Sequence, residues 1–326
     1  MDAMQVKVFA TAHDQVTDRR DKLQAAIGAL GPRPELTGLL AEVDAALERL
    51  ARGTYGLCET CHDPIEPDRL IADPITRFCL DHLSRSEQRA LEQDLQLAAR
   101  VQRGLLPNPA CAPPAWDVAY HYEPARVVSG DYCDLLVVDG DLYFMLGDVS
   151  GKGVAAATLM AQLHAMLRAL VPTRLPVDEL VTRVSRLFCE STLPMHYATM
   201  VCGRATSEGD VEVCNAGHLP VFVAEAQGVR ALGATGLPMG LFCEQTFSVE
   251  RLRLSPGDGL LLVTDGVSEA ESPDGLPFGL DRLAGTLHDR RAMAAGSLVA
   301  ACLADLRAHA GARPCDDTSM LAVRYR

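Results

Sequence analysis

Five short clusters carry the chemistry this chain could perform. Gly130-Asp131 and Gly147-Asp148 flank two apolar runs, residues 135–138 and 142–146, joined by Asp139-Gly140-Asp141. An Asp-Gly turn between two such runs specifies a β-hairpin, and closing it brings the flanking carboxylates to one end of a sheet. Thr264-Asp265-Gly266 follows another apolar run, 259–263, and Asp316-Asp317 precedes a fourth, 320–323. A single Asp-Gly pair needs no purpose beyond a turn. Four acidic strand ends together supply the oxygen donors that hard ions such as Mg²⁺ or Mn²⁺ require. The fifth cluster is Cys58-Glu-Thr-Cys61 followed, seventeen residues later, by Cys79-Leu-Asp-His82. Two ligand pairs, each with two residues between, predict a tetrahedral Cys₃His site for one zinc ion. A lone Cys-x-x-Cys has a redox dithiol as its rival; the second pair favours zinc. His62 adjoins a ligand, but His82 completes the symmetrical spacing. The segment between the pairs is too small to bury a core, so the metal would supply its folding energy.

These clusters must be positioned by regular elements. Helical periodicity covers residues 5–30, with Val6, Val8, Phe9, Val16, Leu23 and Ile27 as a loose stripe, and residues 35–51, with Leu36, Leu39, Leu40, Val43, Leu47 and Leu50. Gly31-Pro32-Arg33-Pro34 breaks the pattern and predicts a helical hairpin over 1–52. The zinc segment, 53–83, follows. Residues 84–107 read as a helix with Leu91, Leu95, Ala98 and Leu105 at heptad-like spacing, ended by the proline cluster at 107–114. Beyond it strands are predicted at 116–122, 135–138, 142–149, 198–206, 210–216, 220–224, 246–254, 259–263 and 319–324. Helices are predicted at 154–170, 177–193, 280–288 and 291–310. Strands, a helix pair, then strands again make residues 108–326 an α+β domain, a layered antiparallel sandwich with helices outside.

Composition bounds the function. A chain of 326 residues with 48% hydrophobic and 22% charged residues is globular, and a formal net charge of −13 argues against a general nucleic-acid binder. The longest apolar stretch, 154–170, is interrupted by Gln162, His164 and Arg168, so it reads as a packed helix and not a membrane span. The first residues lack a basic start and apolar core, so a cytoplasmic location is expected. Eleven cysteines in that setting predict metal ligands and small buried hydrophobes before disulfides. Gly147 to Gly153 is too short for a phosphate-cradling Walker loop, and Gly153 stands at its Ser/Thr position. Its glycines instead allow a sharp strand-to-helix turn that frees the Val149 carbonyl.

Two stretches resemble known families. Ser129-Gly130-Asp131-Tyr132, Gly147-Asp148-Val149-Ser150-Gly151-Lys152-Gly153, Asn215-Ala216-Gly217-His218, Gly236-Leu237-Pro238-Met239-Gly240-Leu241, Thr264-Asp265-Gly266-Val267-Ser268-Glu269-Ala270 and Asp316-Asp317 resemble, in order, the stage II sporulation protein E family. That family comprises phosphatases of the metal-dependent PPM (PP2C-like) superfamily that act on anti-sigma factor antagonists. The resemblance, over about residues 95–326, implies an αββα architecture and two Mn²⁺ or Mg²⁺ ions sharing an activated water. Asp148 would bridge the ions, Asp131 and the Val149 carbonyl serve one, Asp265 and Asp316 the other, with Asp317 as an accessory ligand. It also implies a phosphoserine or phosphothreonine protein substrate, an anti-sigma factor antagonist of the STAS type, and pairing of two subunits through the 84–107 helix. Arg126, five residues before Asp131, is the candidate to grip the substrate phosphate through bidentate hydrogen bonds. His218 is read as a turn-shaping residue and not as the general acid, Cys133 as a packed thiol, and Lys152 as a residue of the helix start.

The 53–83 stretch, with Gly53-Thr54-Tyr55-Gly56-Leu57-Cys58, Ile65, Arg69-Leu70, Ala72 and Pro74, resembles the DksA/TraR-type zinc fingers. Some members of that family regulate RNA polymerase. Here His82 stands where a cysteine is usual, and the hairpin turn 29–35 lacks the paired aspartates of the polymerase-binding members. The leading expectation is therefore a phosphatase regulated by its zinc-bearing N-terminal region. A rival from another class is a polymerase-binding transcription regulator whose phosphatase-like domain is inert. Oxidation of Cys58, Cys61 or Cys79 offers one route by which zinc loss could reach the enzyme.

Overall fold

The computed structural model describes residues 3–83, 85–192, 196–310 and 316–326. It divides into two compact units, Met1–Asp94 and Leu95–Arg326. Ser84 and Leu193, the expected first and last residues of two helices, lie outside the described residues, as do the side chains of Val6, Val8 and Phe9.

In the first unit, helices α1 (Ala3–Leu30) and α2 (Pro34–Arg52) pack through Val16, Val43 and Ala46. Pro34 opens α2, where its missing N–H costs nothing, and Gly53 closes it in the left-handed region at φ +71°. A short helix, α3 (Pro67–Ala72), separates the two ligand pairs. The small core here consists of Tyr55, Cys58, Ile65, Leu70 and Cys79, so two of its five buried members are also candidate metal donors.

Helix α4 (Arg85–Leu105) runs across the division, and the second unit begins within it at Leu95. Strands β1 (Trp116–Glu123), β2 (Asp131–Val138) and β3 (Asp141–Val149) lead to helices α5 (Val154–Leu170) and α6 (Val177–Ser191). Then come β4 (Ala198–Ala205), β5 (Asp210–Ala216), β6 (Val221–Glu225), β7 (Gly228–Leu232), β8 (Glu250–Arg253) and β9 (Gly259–Val263). A single-turn helix α7 (Asp265–Ser268), helices α8 (Leu280–Arg290) and α9 (Ala295–Ala310), and β10 (Thr318–Tyr325) complete the chain. Two five-stranded antiparallel sheets result, ordered β1-β10-β9-β6-β7 and β2-β3-β4-β5-β8.

The alternation of each strand builds four layers. Along β10, Leu321 and Val323 join the cluster between the sheets, with Trp116, Leu135, Phe144 and Leu262, while Met320 and Ala322 join the cluster under α8 and α9. Along β3, Leu142, Phe144 and Leu146 face the other sheet, while Tyr143 and Met145 face α5 and α6. This is the expected αββα sandwich. Helix 154–170 lies where its period places it. Continued to Thr173 it is apolar enough to cross a membrane by length and composition, but Met160, Leu163 and Leu167 are buried against the sheet and α6.

Several boundaries differ from the periodicity. Strand β2 begins at Asp131, not at 135, so the first aspartate is part of the sheet. The expected strand 246–254 shortens to β8, and α9 starts at Ala295. β7 was not anticipated: it is a half-exposed edge hairpin partner of β6, without the apolar alternation that marks a buried strand. Thr264-Asp265-Gly266 opens α7 instead of forming a plain turn.

Candidate active site and zinc centre

Asp131 stands directly opposite Asp148 in the β2–β3 register. Opposed residues of an antiparallel pair share a sheet face, so one hairpin supplies two neighbouring carboxylates. At the same end of the other sheet, β9 runs out into Thr264 and Asp265, and β10 is entered through Asp316 and Asp317. The two ends are joined through Asp131, whose Oδ2 accepts hydrogen bonds from Thr264 Oγ1 (2.9 Å) and Ser319 Oγ (2.5 Å). Asp317 accepts from the backbone N–H groups of Ala125 (2.8 Å) and Gly130 (2.9 Å), fixing the loop that carries Arg126. A Cβ on Gly266 would stand 2.0 Å from the Asp317 carbonyl oxygen, so only glycine lets Asp265 approach Asp316 and Asp317 so closely.

The electrostatics of this end are unbalanced. Burial first, then the charges of Asp265, Asp316 and Asp317, push the Asp148 carboxyl up to about 7. Burial and the neighbouring Asp148 and Asp317 raise Asp131 well above the usual carboxylate range, against the opposing hydrogen bond from Ser319. Burial and Asp316 raise Asp265. Desolvating a carboxylate costs several kcal/mol, more than the roughly 2 kcal/mol that burial of one leucine beside it returns. Folding stability therefore does not account for the cluster.

Cations fit it. Asp131 Oδ1 is buried with no hydrogen-bond partner. Gly130 also keeps a gap open: a Cβ there would lie 3.0 Å from the Val149 carbonyl oxygen and 3.2 Å from Asp148 Oδ1. A buried orphan oxygen, a carbonyl and several carboxylates form a hard donor set suited to Mg²⁺ or Mn²⁺.

Two cationic residues border the carboxylates. Lys152 Nζ pairs with Asp316 Oδ2 at 2.7 Å, which raises the lysine's pKa. That corrects its assignment to the helix start: Gly153, at φ +75°, occupies the α5 N-cap. Arg126 is exposed and near enough for its charge to oppose that of Lys152. His218 is buried at the seam. Its Nδ1 faces Thr199 Oγ1 at 2.8 Å and its Nε2 faces the Val263 carbonyl at 3.0 Å, a pairing in which Nε2 donates and Nδ1 accepts. Burial lowers its pKa to about 4, so the ring stays neutral and ties β4 to the end of β9. Cys133 is buried and its thiol pushed strongly up by desolvation, as a packed residue.

Four contributors escaped sequence reasoning: Thr264 and Ser319 as donors to Asp131, Asp317 as the clamp on Gly130, and Gln102. The amide of Gln102 on α4 is buried and brackets Ser129, donating to its carbonyl (2.7 Å) and accepting from its N–H (3.0 Å). Only a buried polar residue on an otherwise apolar helix face hinted at it.

In the first unit, single donor atoms of Cys58, Cys61, Cys79 and His82 all lie within 4.8 Å of one another. Cys61 Sγ is 3.8 Å from Cys79 Sγ, and Cys79 Sγ 3.3 Å from His82 Nδ1. Among the described residues no other His/Cys/Asp/Glu group is gathered so tightly, and His62 is not part of it. Burial opposes ionisation of Cys58, but backbone N–H groups of Cys61, Cys79 and Thr60 outweigh it and bring the thiol down to about 6. Three sulfurs and one imidazole nitrogen at this spacing fit a tetrahedral zinc ion. The aspartates are not gathered within that distance of one another.

Residues 138–326 match the family model of stage II sporulation protein E (SpoIIE), and residues 53–88 that of the prokaryotic dksA/traR C4-type zinc finger. The chain belongs to the SpoIIE family. The match begins after Asp131 and includes Asp148, Asp265 and Asp316. Protein IcfG of Synechocystis is 31% identical over 224 residues, 60% of this chain and 35% of that protein. Phosphoserine phosphatase RsbU of Bacillus subtilis is 25% identical over 194 residues, 59% of this chain and 58% of its own length. The SiaA PP2C domain of Pseudomonas aeruginosa shares the fold, with a TM-score of 0.64 at 21% identity, over 75% of this chain and all of that one. The chain thus spans less than two thirds of the length of the curated relatives it matches.

Proposed function

We propose that the chain is a Mn²⁺- or Mg²⁺-dependent phosphoprotein phosphatase acting on phosphoserine or phosphothreonine, with Asp131, Asp148, Asp265 and Asp316 as its catalytic carboxylates. The observation that carries this reading is the buried, unpartnered Oδ1 of Asp131 beside the gap held open at Gly130. When bound, a pair of ions would supply Lewis acidity and lower the pKa of a water molecule. Asp148, between the other carboxylates, would face both ions; Asp131 and the Val149 carbonyl would hold one, Asp265 and Asp316 the other. Asp317 acts beside them by positioning Gly130. Arg126 would bind the substrate phosphate, and Lys152 would exchange its Asp316 partner for that phosphate or remain as a counter-charge. The test is hydrolysis of a chromogenic phosphate ester with and without Mn²⁺. Metal-dependent turnover that Asp148→Asn abolishes is expected; turnover unaffected by that change would overturn the assignment.

The substrate is proposed from family membership and from the phosphoserine phosphatase named among the relatives. It is a phosphorylated anti-sigma factor antagonist of the STAS type, and release of phosphate from such a purified phosphoprotein checks it. The working division is a helical hairpin at 1–52, a zinc finger at 53–83 holding one ion on Cys58, Cys61, Cys79 and His82, a linker helix at 84–107 and the phosphatase domain at 108–326. Exposed Leu91, Leu97 and Val101 on α4 support pairing of two chains through that helix. The molar mass in solution tests the pairing.

A further inference from the structure

Cysteines in such a chain were expected to serve as metal ligands or packed hydrophobes, yet Cys189 and Cys243 form a disulfide with Cα atoms 5.4 Å apart. They are distant in sequence, so only the tertiary fold brings them together. Cys189 is half-buried near the end of α6, and Cys243 is exposed. Cys133, Cys202, Cys214 and Cys302 are buried free thiols whose ionisation burial opposes, which leaves them inert. An exposed disulfide is, by contrast, open to thiolate attack and of the readily reduced kind.

The disulfide lies at one end of a hydrogen-bonded path to the candidate active site. Cys243 belongs to the segment 233–249, which contains no helix or strand. Within it, Gly240 N–H donates to Ser185 Oγ on α6 (3.3 Å), and Gln245 Nε2 donates to the same hydroxyl (3.2 Å) and to the Pro238 carbonyl (2.9 Å). Met239 and Ala198 exchange both backbone hydrogen bonds, at 2.7 and 2.9 Å. One residue on, the Tyr197 carbonyl accepts from Ser150 N–H (2.9 Å) and the Tyr197 N–H donates to Ser150 Oγ (2.9 Å). Ser150 directly follows Val149, whose carbonyl and neighbour Asp148 are the proposed ion ligands. The path is continuous from sulfur to site.

We propose that Cys189 and Cys243 are a reversible thiol–disulfide modification site, reduced by a dithiol, that sets the 233–249 segment and, through Met239–Ala198 and Tyr197–Ser150, the end of β3 that bears Asp148. One thiolate of the dithiol attacks Sγ of exposed Cys243, and the S–S bond breaks with Cys189 leaving as thiolate. The second sulfur of the reductant then displaces Cys243. The protein takes up two electrons and two protons, and the dithiol leaves as its own disulfide. With the bond open, the segment loses its covalent tie to α6 and keeps its hydrogen bonds and the packing of Met239, Phe247 and Val249, so the path to Ser150 loosens.

The test uses the full chain prepared without reductant, alkylated before and after dithiothreitol, with amide hydrogen exchange followed in both states. A Cys189–Cys243 cross-linked peptide that disappears on reduction is expected. With it, exchange at Ala198, Met239 and Ser150 should become at least tenfold faster, and diamide should restore both. The Cys189→Ser/Cys243→Ser variant should exchange like the reduced protein and ignore dithiothreitol, which separates this effect from loss of zinc. Absence of the cross-link even after diamide, or its loss without faster exchange, overturns the proposal. A further arm rests on the phosphatase reading: the Mn²⁺ concentration for half-maximal activity should rise severalfold on reduction, and an unchanged value in an active enzyme would refute the coupling to the site. The exchange arm needs no catalysis, so inactivity toward the ester would count against the phosphatase and leave the thiol site standing on its own readout.

Discussion

Cys58, Cys61, Cys79 and His82 come from one short stretch of chain, whereas Asp131, Asp148, Asp265 and Asp316 come from β2, β3, the end of β9 and the start of β10. The first group sits in a core of a few residues that includes its own ligands. The second sits on two sheets whose shared core, with Trp116, Leu135, Phe144 and Val323, is complete without it. The contrast teaches that similar-looking ligand clusters stand in opposite relations to stability. In the first, a bound metal would organise the fold. In the second, the fold itself brings mutually repelling carboxylates together, before any metal is bound.

The strongest way to break that contrast is to remove the metals. Chelation, or Cys61→Ser, should unfold the 53–83 region, because structural zinc contributes on the order of 10 kcal/mol to such small domains. Circular dichroism and proteolysis should show the second unit still folded; loss of both together would erase the distinction. Next in size, Asp148→Asn should lower ester hydrolysis by about 10³-fold or more. It should leave the metal-free protein no less stable in urea, since it removes a repelling charge from the cluster. A large loss of stability would make that aspartate a structural residue after all.

The pH dependence sharpens the same comparison. His218 is held near 4 in the folded protein, below the usual value of about 6.5 for an exposed imidazole. The unfolded chain therefore binds the extra proton first as pH falls. Its contribution is present above about 6.5 and is lost between 6.5 and 4, to a total of about 3 kcal/mol. Urea titrations of the wild type and His218→Gln should differ in slope across that window. Asp131 and Asp148, with raised values, act in the opposite direction, so the difference between the two proteins is the quantity to read.

Gly130→Ala places a methyl group in the gap between the Val149 carbonyl and Asp148 Oδ1. It should weaken Mn²⁺ activation about 10–100-fold with little change in unfolding midpoint. An unchanged metal requirement would show that the gap is not a ligand position. Smallest, Arg126→Ala should raise KM for a phosphopeptide about tenfold, the loss of one charge-assisted hydrogen bond, and leave kcat nearly unaltered. A fall confined to kcat would assign Arg126 elsewhere.

Much of this was legible in the chain. The helix at 154–170 and the strand runs that become β5 and β9 follow from apolar periodicity, because burial on one face of an element leaves a period in the sequence, and the order of these elements implied a layered sandwich with helices outside. The Cys/His quartet was legible because its ligands are local and their spacing is itself the geometry. The aspartates were legible as types at strand ends. Nothing local revealed that Asp317 clamps Gly130, that Thr264 and Ser319 share Asp131 Oδ2, or that Lys152 reaches Asp316. Each is a contact between residues brought together only when the sheets stack.

The sequence by itself determined most of the helices and buried strands and which residues could bind metal, since both are written in side-chain type and near-neighbour spacing. The tertiary structure decided which carboxylates share a field, which oxygen is left without a partner, and which cysteines meet. Those depend on register and sheet packing, where residues far apart along the chain come within a few ångströms of one another.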